Sequence, residues 1–304
     1  EPLSERMRHK LRSDSGTGYM RTDKNAEPDP VYIKEKLIKL LDGHKDADLF
    51  ITQGYICRNA YGEIDNLQRG GSDYSASLIG AAIGAEEIQI WTDIDGMHNN
   101  DPRIVEKTSP VRHLHFEEAA ELAYFGAKIL HPTCILPAKL NNIPVRLLNT
   151  MQPEAPGTMI SNMTEKGKIK LSPQRQIITS IKIKSGRMLL ATGFLRKVFE
   201  IFENYQTPID MVTTSEVGVS VTIDNRKHLE EIVDDLKKYG TVTVDEDMVI
   251  VCVVGDLEWD NVGFEARIVQ AMKDVPVRMI STEAATTTSR SLLKPPTKQG
   301  HCKH

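Results

Sequence analysis

The spacing of hydrophobic residues in the first half of the chain predicts helices that alternate with strands. Within residues 31–42, Ile33, Leu37, Leu40 and Leu41 recur on one face of a helix. The remaining predicted elements of this half are strands at 49–56, 88–91 and 145–148 and helices at 72–85, 116–130 and 133–140. This alternation favours an α/β fold with a largely parallel sheet and helices on both faces.

The second half of the chain carries a weak internal repeat. Gly193 opens a predicted helix that leads to a strand at 208–212, and Gly263, 70 residues later, opens another that leads to a strand at 276–280. The other predicted elements are β-rich runs at 177–183 and 248–254, a strand at 217–223 and a helix at 228–239. This order predicts two ferredoxin-like β-α-β-β-α-β units.

A break rich in Pro and a polar stretch separate the two halves, at 153–158 and 167–176. We therefore place the domain boundary near Lys170, with residues 1–170 forming the first domain and the start of the linker. Residues 171–281 form the repeat. Residues 282–304 are rich in Thr, Ser, Lys and Pro, which predicts a disordered tail.

Composition narrows the class of protein. The 304 residues are 40% hydrophobic and 26% charged, which fits a soluble globular chain with two domains. A net charge of −4 gives no reason to expect nucleic-acid binding, and no stretch approaches the ~20 apolar residues that a membrane span needs. Cys57, Cys134 and Cys252 are isolated in apolar contexts, and no signal-peptide pattern is present. We expect a cytoplasmic protein that contacts neither nucleic acid nor membrane.

The octapeptide Gln-Arg-Gly-Gly-Ser-Asp-Tyr-Ser that begins at Gln68 is the strongest candidate for chemistry. It lies where a loop becomes a helix, and the N–H groups of a first helical turn are unpaired and bind anions. Gly70 and Gly71 let an anion approach the backbone, and Arg69 is suited to hold a carboxylate with two N–H donors. Taken alone, the octapeptide also fits a glycine turn that Ser72 caps before an ordinary core helix.

Two further motifs follow in the chain. The predicted strand at 88–91 delivers Thr92 and Asp93 to a loop, and ligands of parallel α/β sheets bind where strands end. The predicted helix at 116–130 carries Gly-Ala-Lys, ending in Lys128, close to its end. These three motifs, in this order, resemble those of aspartate kinases, particularly the single-function, lysine-sensitive type. The resemblance extends from about residues 20–22 to about residues 279–281.

The resemblance implies part of an amino-acid-kinase-type parallel sheet sandwiched by helices, followed by tandem ferredoxin-like ACT domains. It implies ATP-dependent phosphorylation of the β-carboxylate of L-aspartate to 4-phospho-L-aspartate. This is the first step of lysine, threonine and methionine biosynthesis, with feedback inhibition through the ACT domains. A side-chain carboxylate has a pKa of about 4 and is ionised at pH 7, so no general base is required. Mg²⁺ is expected with the ATP, and the sequence contains no evident cage of metal ligands.

The resemblance also assigns residues to two binding sites. For L-aspartate and catalysis, Arg69 would grip a substrate carboxylate, and Ser72 would donate a hydrogen bond beside Gly71. Asp73 would hold the substrate ammonium group or orient the phosphate-binding groups, although it also fits a carboxylate that the helix dipole favours. The implied nucleotide contacts are Thr92, Asp93, His98, Arg103, Lys128 and Ile129. His98 stands where relatives often have Tyr, and Lys128 also fits a cation at a helix C-terminus.

An effector site is implied in the first ACT unit. Its aligned residues are Met188, Ala191, Phe194, Leu195, Asp210, Ser215, Glu216 and Val217. Asp210 and Glu216 suit a cationic amino acid such as lysine, and Ala191 replaces a hydroxyl that some lysine-sensitive relatives carry. Phe194, Leu195 and Val217 are equally compatible with core positions. In relatives such units pair across two chains, so a homodimer is expected.

The ends of the chain differ from the family pattern. Relatives open with a strand and loop of the Lys-Phe-Gly-Gly-Thr-Ser type, and residues 1–30 show neither this motif nor apolar periodicity. We expect an N-terminally truncated fragment with a truncated second ACT unit, inactive by itself. Two alternatives stay open: a non-catalytic amino-acid-binding regulator, and another amino-acid kinase such as a glutamate or acetylglutamate kinase. The paired ACT-like units argue against the second.

Overall fold

A computed structural model of the chain describes nine ranges of residues. These are 11–68, 70–99, 108–124, 131–163, 169–173, 178–186, 192–255, 263–282 and 288–294. The chain divides into two compact units, Glu1–Lys166 and Gly167–His304. The division lies close to the boundary that we placed near Lys170.

The first unit contains the helices α1 (Pro30–Asp42), α2 (Gly71–Ile83), α3 (Phe116–Tyr124) and α4 (Pro132–Leu140). Its strands are β1 (Leu11–Asp14), β2 (Leu49–Thr52), β3 (Ile56–Arg58), β4 (Ile64–Asn66), β5 (Ile88–Thr92), β6 (Met97–His98), β7 (Pro110–Val111), β8 (His113–His115), β9 (Val145–Asn149) and β10 (Thr158–Ser161). Within the described ranges, no helix has both the length and the apolar composition that crossing a membrane requires.

The main sheet of the first unit has the strand order β5-β9-β10-β8. β5 and β9 are parallel, as are β8 and β10, but β10 runs antiparallel to β9. The reversal follows from the short connection between β9 and β10, which ends at Gly157 in the left-handed region. Ile90, Leu147 and Ile160 are buried in this sheet. The predicted α/β fold is confirmed, with this antiparallel pair as a departure from a uniformly parallel sheet.

One prediction about the first unit is wrong. The strand predicted at 49–56 ends at Thr52, because Tyr55 has a positive φ of 73° that no strand accommodates, and β3 then pairs with β4 as a separate hairpin. Strand β1 lies in the segment that shows no apolar periodicity, and it pairs in parallel with β2. Tyr19 and Met20 are buried in the same hydrophobic cluster as helix α1. A 3-10 turn at Gly16–Gly18 connects them to β1.

The second unit contains the helices α5 (Phe194–Asn204), α6 (Leu229–Lys237) and α7 (Phe264–Ala271). Its strands are β11 (Ile169–Pro173), β12 (Ile178–Lys184), β13 (Val212–Ser215), β14 (Gly218–Ile223), β15 (Thr241–Gly255), β16 (Val277–Thr282) and β17 (Thr288–Leu293). The first ferredoxin-like half has the strand order β13-β14-β12-β15. Its core includes Ile181, Val198, Phe202, Val221 and Leu236, contributed by both strands and helices.

The second half of this unit is assembled from distant segments. The long strand β15 leaves β12 at about Met248 and continues between β11 and β17, and β16 pairs with the outer side of β17. Four strands therefore form this half, one of them from before the first half in the chain. The expectation that the second of the two ferredoxin-like units is truncated stays a prediction. The expectation of disorder after residue 281 is wrong for residues 288–293, because they form β17, in which Ser289, Ser291 and Leu292 are buried.

Candidate active site

Helix α2 begins in a geometry that only glycine fits. Gly70, the residue before the helix, has a φ of 73° in the left-handed region. A Cβ on Gly70 would lie 2.7 Å from Cβ of His131, and a Cβ on Gly71 would lie 2.6 Å from Cδ2 of Tyr55. Both glycines therefore allow close packing of the helix start against neighbouring loops. The glycine-turn interpretation and the binding interpretation of the octapeptide share this geometry.

A buried hydroxyl fixes the loop on one side of the helix start. The Ser75 hydroxyl donates to the Gly71 carbonyl at 2.8 Å and accepts from the Tyr55 N–H at 2.9 Å. Ser75 is 3% exposed, so water does not compete for these bonds. The N–H of Tyr55 is thereby satisfied although its backbone lies outside the strand conformation. Ser75 joins the two segments that flank the site.

A thiol fixes the other side of the helix start. Cys134 of α4 donates from Sγ to the Gly70 carbonyl at 3.2 Å. Burial, together with the nearby charge of Asp73, raises the pKa of Cys134 to about 12. The group is therefore a protonated thiol at neutral pH and acts as a packing and hydrogen-bonding residue, not as a nucleophile.

The helix start opens into a cavity of about 500 Å³. Its lining residues are Tyr55, Asn66, Gln68, Gly70, Gly71, Ser72 and Asp73. Three residues predicted for substrate binding thus share one cavity, and the N–H groups of Ser72 and Asp73 belong to the first turn, which lacks intrahelical acceptors. Burial raises the pKa of the Asp73 carboxyl above its ordinary value. Arg69, also predicted here, lies outside the described residues.

Three lining residues were not predicted from the sequence. Tyr55 and Gln68 both have positive φ, at 73° and 60°, which turns them toward the helix start. Asn66 accepts a hydrogen bond from the Gln68 N–H at 2.9 Å through Oδ1. The sequence indicates a loop here only through Gly54, before Tyr55, and the polar residues before the octapeptide. The conformations themselves depend on contacts that the sequence does not reveal.

Helix α2 packs against strand β5, the next element in the chain. Helix and strand are joined by a short turn and pack together, since a Cβ on Gly80 would lie 2.5 Å from Ile88. They therefore run antiparallel. Thr92 is the last residue of β5. Asp93 follows on the surface, exposed to solvent.

An ion pair holds the loop that follows β5. Arg112 donates to both carboxylate oxygens of Asp95, at 2.9 and 3.1 Å, and to the Gly157 carbonyl at 3.0 Å. The hydrogen bonds from Arg112 lower the pKa of Asp95 below its ordinary value. Gly96 and Gly157 both have positive φ, and a Cβ on either would overlap neighbouring backbone. These contacts hold the loop that carries Thr92 and Asp93 in one conformation.

The remaining predicted nucleotide residues are described only in part. His98, on β6, has Nδ1 3.0 Å from the Thr108 hydroxyl. Arg103, Lys128 and Ile129 lie outside the described residues. Among the residues that are described, no group of three His, Cys, Asp or Glu side chains is arranged to hold a metal ion.

The predicted effector residues fall into three places in the second unit. Phe194 is a core residue, 6% exposed, whereas Leu195 and Val217 are exposed. Ser215, Glu216 and Val217 form the turn between β13 and β14, and the Val217 carbonyl accepts from the Ser185 N–H. Asp210 precedes β13 at its opposite end. Met188 and Ala191 lie outside the described residues.

Comparisons with known proteins identify the family. The model of the amino acid kinase family matches residues 9–149. Aspartokinase 1, chloroplastic, of Arabidopsis thaliana is 38% identical over 257 residues, covering 80% of this chain and 45% of the relative. Lysine-sensitive aspartokinase 3 of Escherichia coli is 33% identical over 270 residues, covering 86% and 60%. The chain thus spans about half the length of the curated relatives that it matches.

A solved structure matches a larger share of both chains. Aspartokinase III of E. coli in complex with aspartate and ADP superposes with a TM-score of 0.77 at 32% identity, covering 96% of this chain and 68% of that one. The chain belongs to the aspartokinase family. The family predicted from the octapeptide and its two companion motifs is confirmed. The two units are accordingly an amino-acid-kinase unit and the tandem ACT unit of an aspartokinase.

Proposed function

We propose that this chain contributes to an aspartate kinase, which transfers the γ-phosphoryl group of ATP to the β-carboxylate of L-aspartate. The observation that carries the proposal is the cavity at Gly70–Asp73, which opens at the start of α2. One helix start supplies anion-binding N–H groups, a hydroxyl and a carboxylate to this cavity. In E. coli aspartokinase III, aspartate and ADP are bound in the same crystal structure.

The chemistry requires positioning more than proton transfer. The β-carboxylate of aspartate is ionised at neutral pH because its pKa is about 4, so it attacks without a base. Catalysis then depends on aligning the carboxylate with the γ-phosphate and on neutralising the negative charge of the phosphoryl group. The N–H groups at the start of α2 direct positive partial charge toward this cavity.

Each predicted residue has a role in this proposal. Ser72 donates a hydrogen bond to a substrate carboxylate, beside the N–H groups of the first turn, and Arg69 grips the same group. Asp73 holds the substrate ammonium group. Its raised pKa fits this role, because a bound cation replaces the water that burial removes from the carboxylate.

The nucleotide is assigned to the loop after β5. Thr92 and Asp93 would contact ATP, together with His98, Arg103, Lys128 and Ile129. Mg²⁺ would be bound mainly through phosphate oxygens and water. We also propose a cytoplasmic location, which the buried free thiols Cys57, Cys134 and Cys252 support.

A hydroxylamine-trapping assay for aspartyl phosphate tests the proposal. It is run with ATP and Mg²⁺ on the 304-residue chain and on the chain extended upstream in its own reading frame. We expect hydroxamate that depends on L-aspartate from the extended chain. Hydroxamate with glutamate or acetylglutamate in place of aspartate would assign another amino-acid kinase. If no hydroxamate forms with any of these substrates, the result would favour the alternative of a non-catalytic regulator.

We propose further that the ACT unit binds a lysine-type effector between two copies of the chain. Asp210 and Glu216 stand before and after β13, so about 15–20 Å of extended strand separates them within one chain. β13 is an edge strand of its sheet in the described part of the chain. Antiparallel pairing of two β13 strands would bring Asp210 of one copy beside Glu216 of the other. The resulting homodimer offers two carboxylates to a cationic ligand.

Lysine inhibition of the extended enzyme tests this second proposal. Glu216→Gln should raise the lysine concentration for half-inhibition by about tenfold or more, because one of two carboxylates for the cation is lost. Glu203→Gln, an exposed carboxylate on α5, is the matched control and should leave inhibition unchanged. Wild-type lysine sensitivity in Glu216→Gln would contradict the proposed effector site.

A further inference from the structure

The first unit contains a second cavity, enclosed by α1, α2 and α4, with a volume of about 310 Å³. It shares no lining residue with the cavity at the start of α2. Its apolar lining includes Ile33, Leu78, Ala82, Leu136, Pro137 and Leu140. The volume lies at the low end of the range of about 300–1,000 Å³ that small-molecule sites occupy. We call it the three-helix groove.

The apolar lining has a buried floor and an exposed wall. Ile33, Leu78 and Ala82 are at most 9% exposed and belong to the hydrophobic core. Leu136 and Leu140 lie one turn apart on α4 and are 49% and 74% exposed. Large aliphatic side chains left in water beside a preformed concave surface are typical of a binding site. The ligand must therefore bring an aliphatic group of modest size.

The rim of the three-helix groove carries charges of both signs. Glu27 and Lys34 line it together with Tyr74. Among the described residues, neither Glu27 nor Lys34 forms an ion pair, although ten other pairs of a Lys or Arg with an Asp or Glu are present in the same ranges. Burial, and then the charge of Glu27, raise the pKa of the Tyr74 phenol. The phenol thus keeps its proton and offers a donor.

These features select one class of ligand. A simple carboxylate would meet Lys34 but be repelled by Glu27, and a simple amine would have the opposite conflict. A zwitterion satisfies both charges, and the aliphatic floor and wall accept an apolar side chain. We propose that the three-helix groove binds a free amino acid with an aliphatic side chain. Its ammonium group lies at Glu27, its carboxylate at Lys34 and the Tyr74 hydroxyl, and its side chain on Leu78 and Leu136.

Isothermal titration calorimetry on the 304-residue chain tests the proposal with L-leucine as the probe. Saturable binding of L-leucine is expected. Isocaproate, which lacks the ammonium group, and isoamylamine, which lacks the carboxylate, should each bind at least about tenfold more weakly, because one rim charge is left unpaired. L-lysine and L-aspartate should not displace the leucine, since both carry a charged side chain that the aliphatic floor excludes.

Matched variants locate the bound ligand. Ala81→Leu fills the groove from α2 and should abolish binding, and leucine suits a helix as well as alanine does. Lys34→Gln and Glu27→Gln should each weaken binding by about fivefold or more. The control variants Lys36→Gln and Glu35→Gln, on α1 but outside the groove, should not weaken it. The charge variants are surface changes and do not depend on how Ala81→Leu folds.

Three outcomes would overturn the proposal. One is the lack of saturable binding for leucine, isoleucine, valine and methionine alike. Another is leucine binding that survives both Ala81→Leu and the two rim variants, which would place the ligand elsewhere in the chain. The third is isocaproate or isoamylamine binding as tightly as leucine, which would show an apolar site without recognition of the zwitterion.

Discussion

At the scale of single residues, Ser75 determines the shape of the cavity at the start of α2 although it does not line it. Its hydroxyl bridges Gly71 and Tyr55. Ser75→Ala leaves the Tyr55 N–H and the Gly71 carbonyl without a partner, which costs about 1–3 kcal/mol of unfolding free energy. In the chain extended upstream, we expect the KM for aspartate to rise several-fold while kcat changes little, because the loop is displaced but the reacting groups are retained. Steady-state kinetics and thermal unfolding measure both effects.

Ser77→Ala is the matched control for this prediction. Ser77 lies on the same helix and is fully buried, and its hydroxyl has no hydrogen-bond partner in the structure. Its removal should leave stability and the KM for aspartate unchanged, or raise stability slightly. Equal effects of the two substitutions would mean that the Ser75 bridge has no special part in positioning Tyr55.

The Asp73 carboxylate should lower the stability of the fold while it strengthens the binding of aspartate. Burial raises its folded-state pKa above the ordinary value of 3.8, so the folded state binds the proton more tightly than the unfolded state. The resulting cost to stability is fully present above the folded pKa and vanishes below the unfolded one. Asp73→Asn should therefore gain stability relative to wild type as the pH rises from below about 4 to 7, while its KM for aspartate rises about tenfold or more.

Thermal unfolding across this pH range, compared with aspartate kinetics at pH 7, checks the prediction. Asp224→Asn, an exposed carboxylate of the other unit, controls for the general effect of removing a charge. A stability difference that is constant with pH would show that Asp73 has no burial cost. An unchanged KM would remove Asp73 from the substrate site.

At the scale of elements, Arg112 holds the conformation of the loop after β5 but not that of the strand itself. Arg112 pairs with Asp95 at the C-terminal end of β5, and Arg146 pairs with Glu87 at its other end, with similar exposure. Each pair is partly exposed and contributes about 1 kcal/mol or less. Arg112→Met should raise the KM for ATP several-fold. Arg146→Met should lower stability as much as Arg112→Met does but leave the KM for ATP unchanged. Equal KM values for ATP in the two variants would contradict a role for the loop.

Elements could be predicted where local pattern and final contacts agree. Helix α2 and strand β5 were predicted correctly because their apolar residues follow the period of each element and face a core. The break after β2 could not be predicted, because the positive φ of Tyr55 depends on Ser75, twenty residues later. Strand β17 was missed because two of its buried positions are Ser289 and Ser291, which carry no hydrophobic signal. Its partners β15 and β16 supply the pairing instead.

At the scale of the whole molecule, β15 makes the two halves of the ACT unit interdependent. It pairs with β12 over its first part and with β11 and β17 over its second. Because one strand belongs to both sheets, a loss of structure in one half removes a neighbour from the other. The repeat seen in the sequence therefore does not correspond to two separable domains, although each half has the ferredoxin-like strand order.

Leu292→Ala tests this interdependence. Leu292 is fully buried on β17, and truncation should cost ~2–5 kcal/mol of the unfolding free energy of the ACT unit. In hydrogen exchange, amides of β12 and β14 should lose protection together with those of β16 and β17, because the halves unfold as one. Ile280→Ala, on β16 and 43% exposed, is the control and should change protection little. Loss of protection confined to β11, β16, β17 and the second part of β15 would instead establish two independently stable halves.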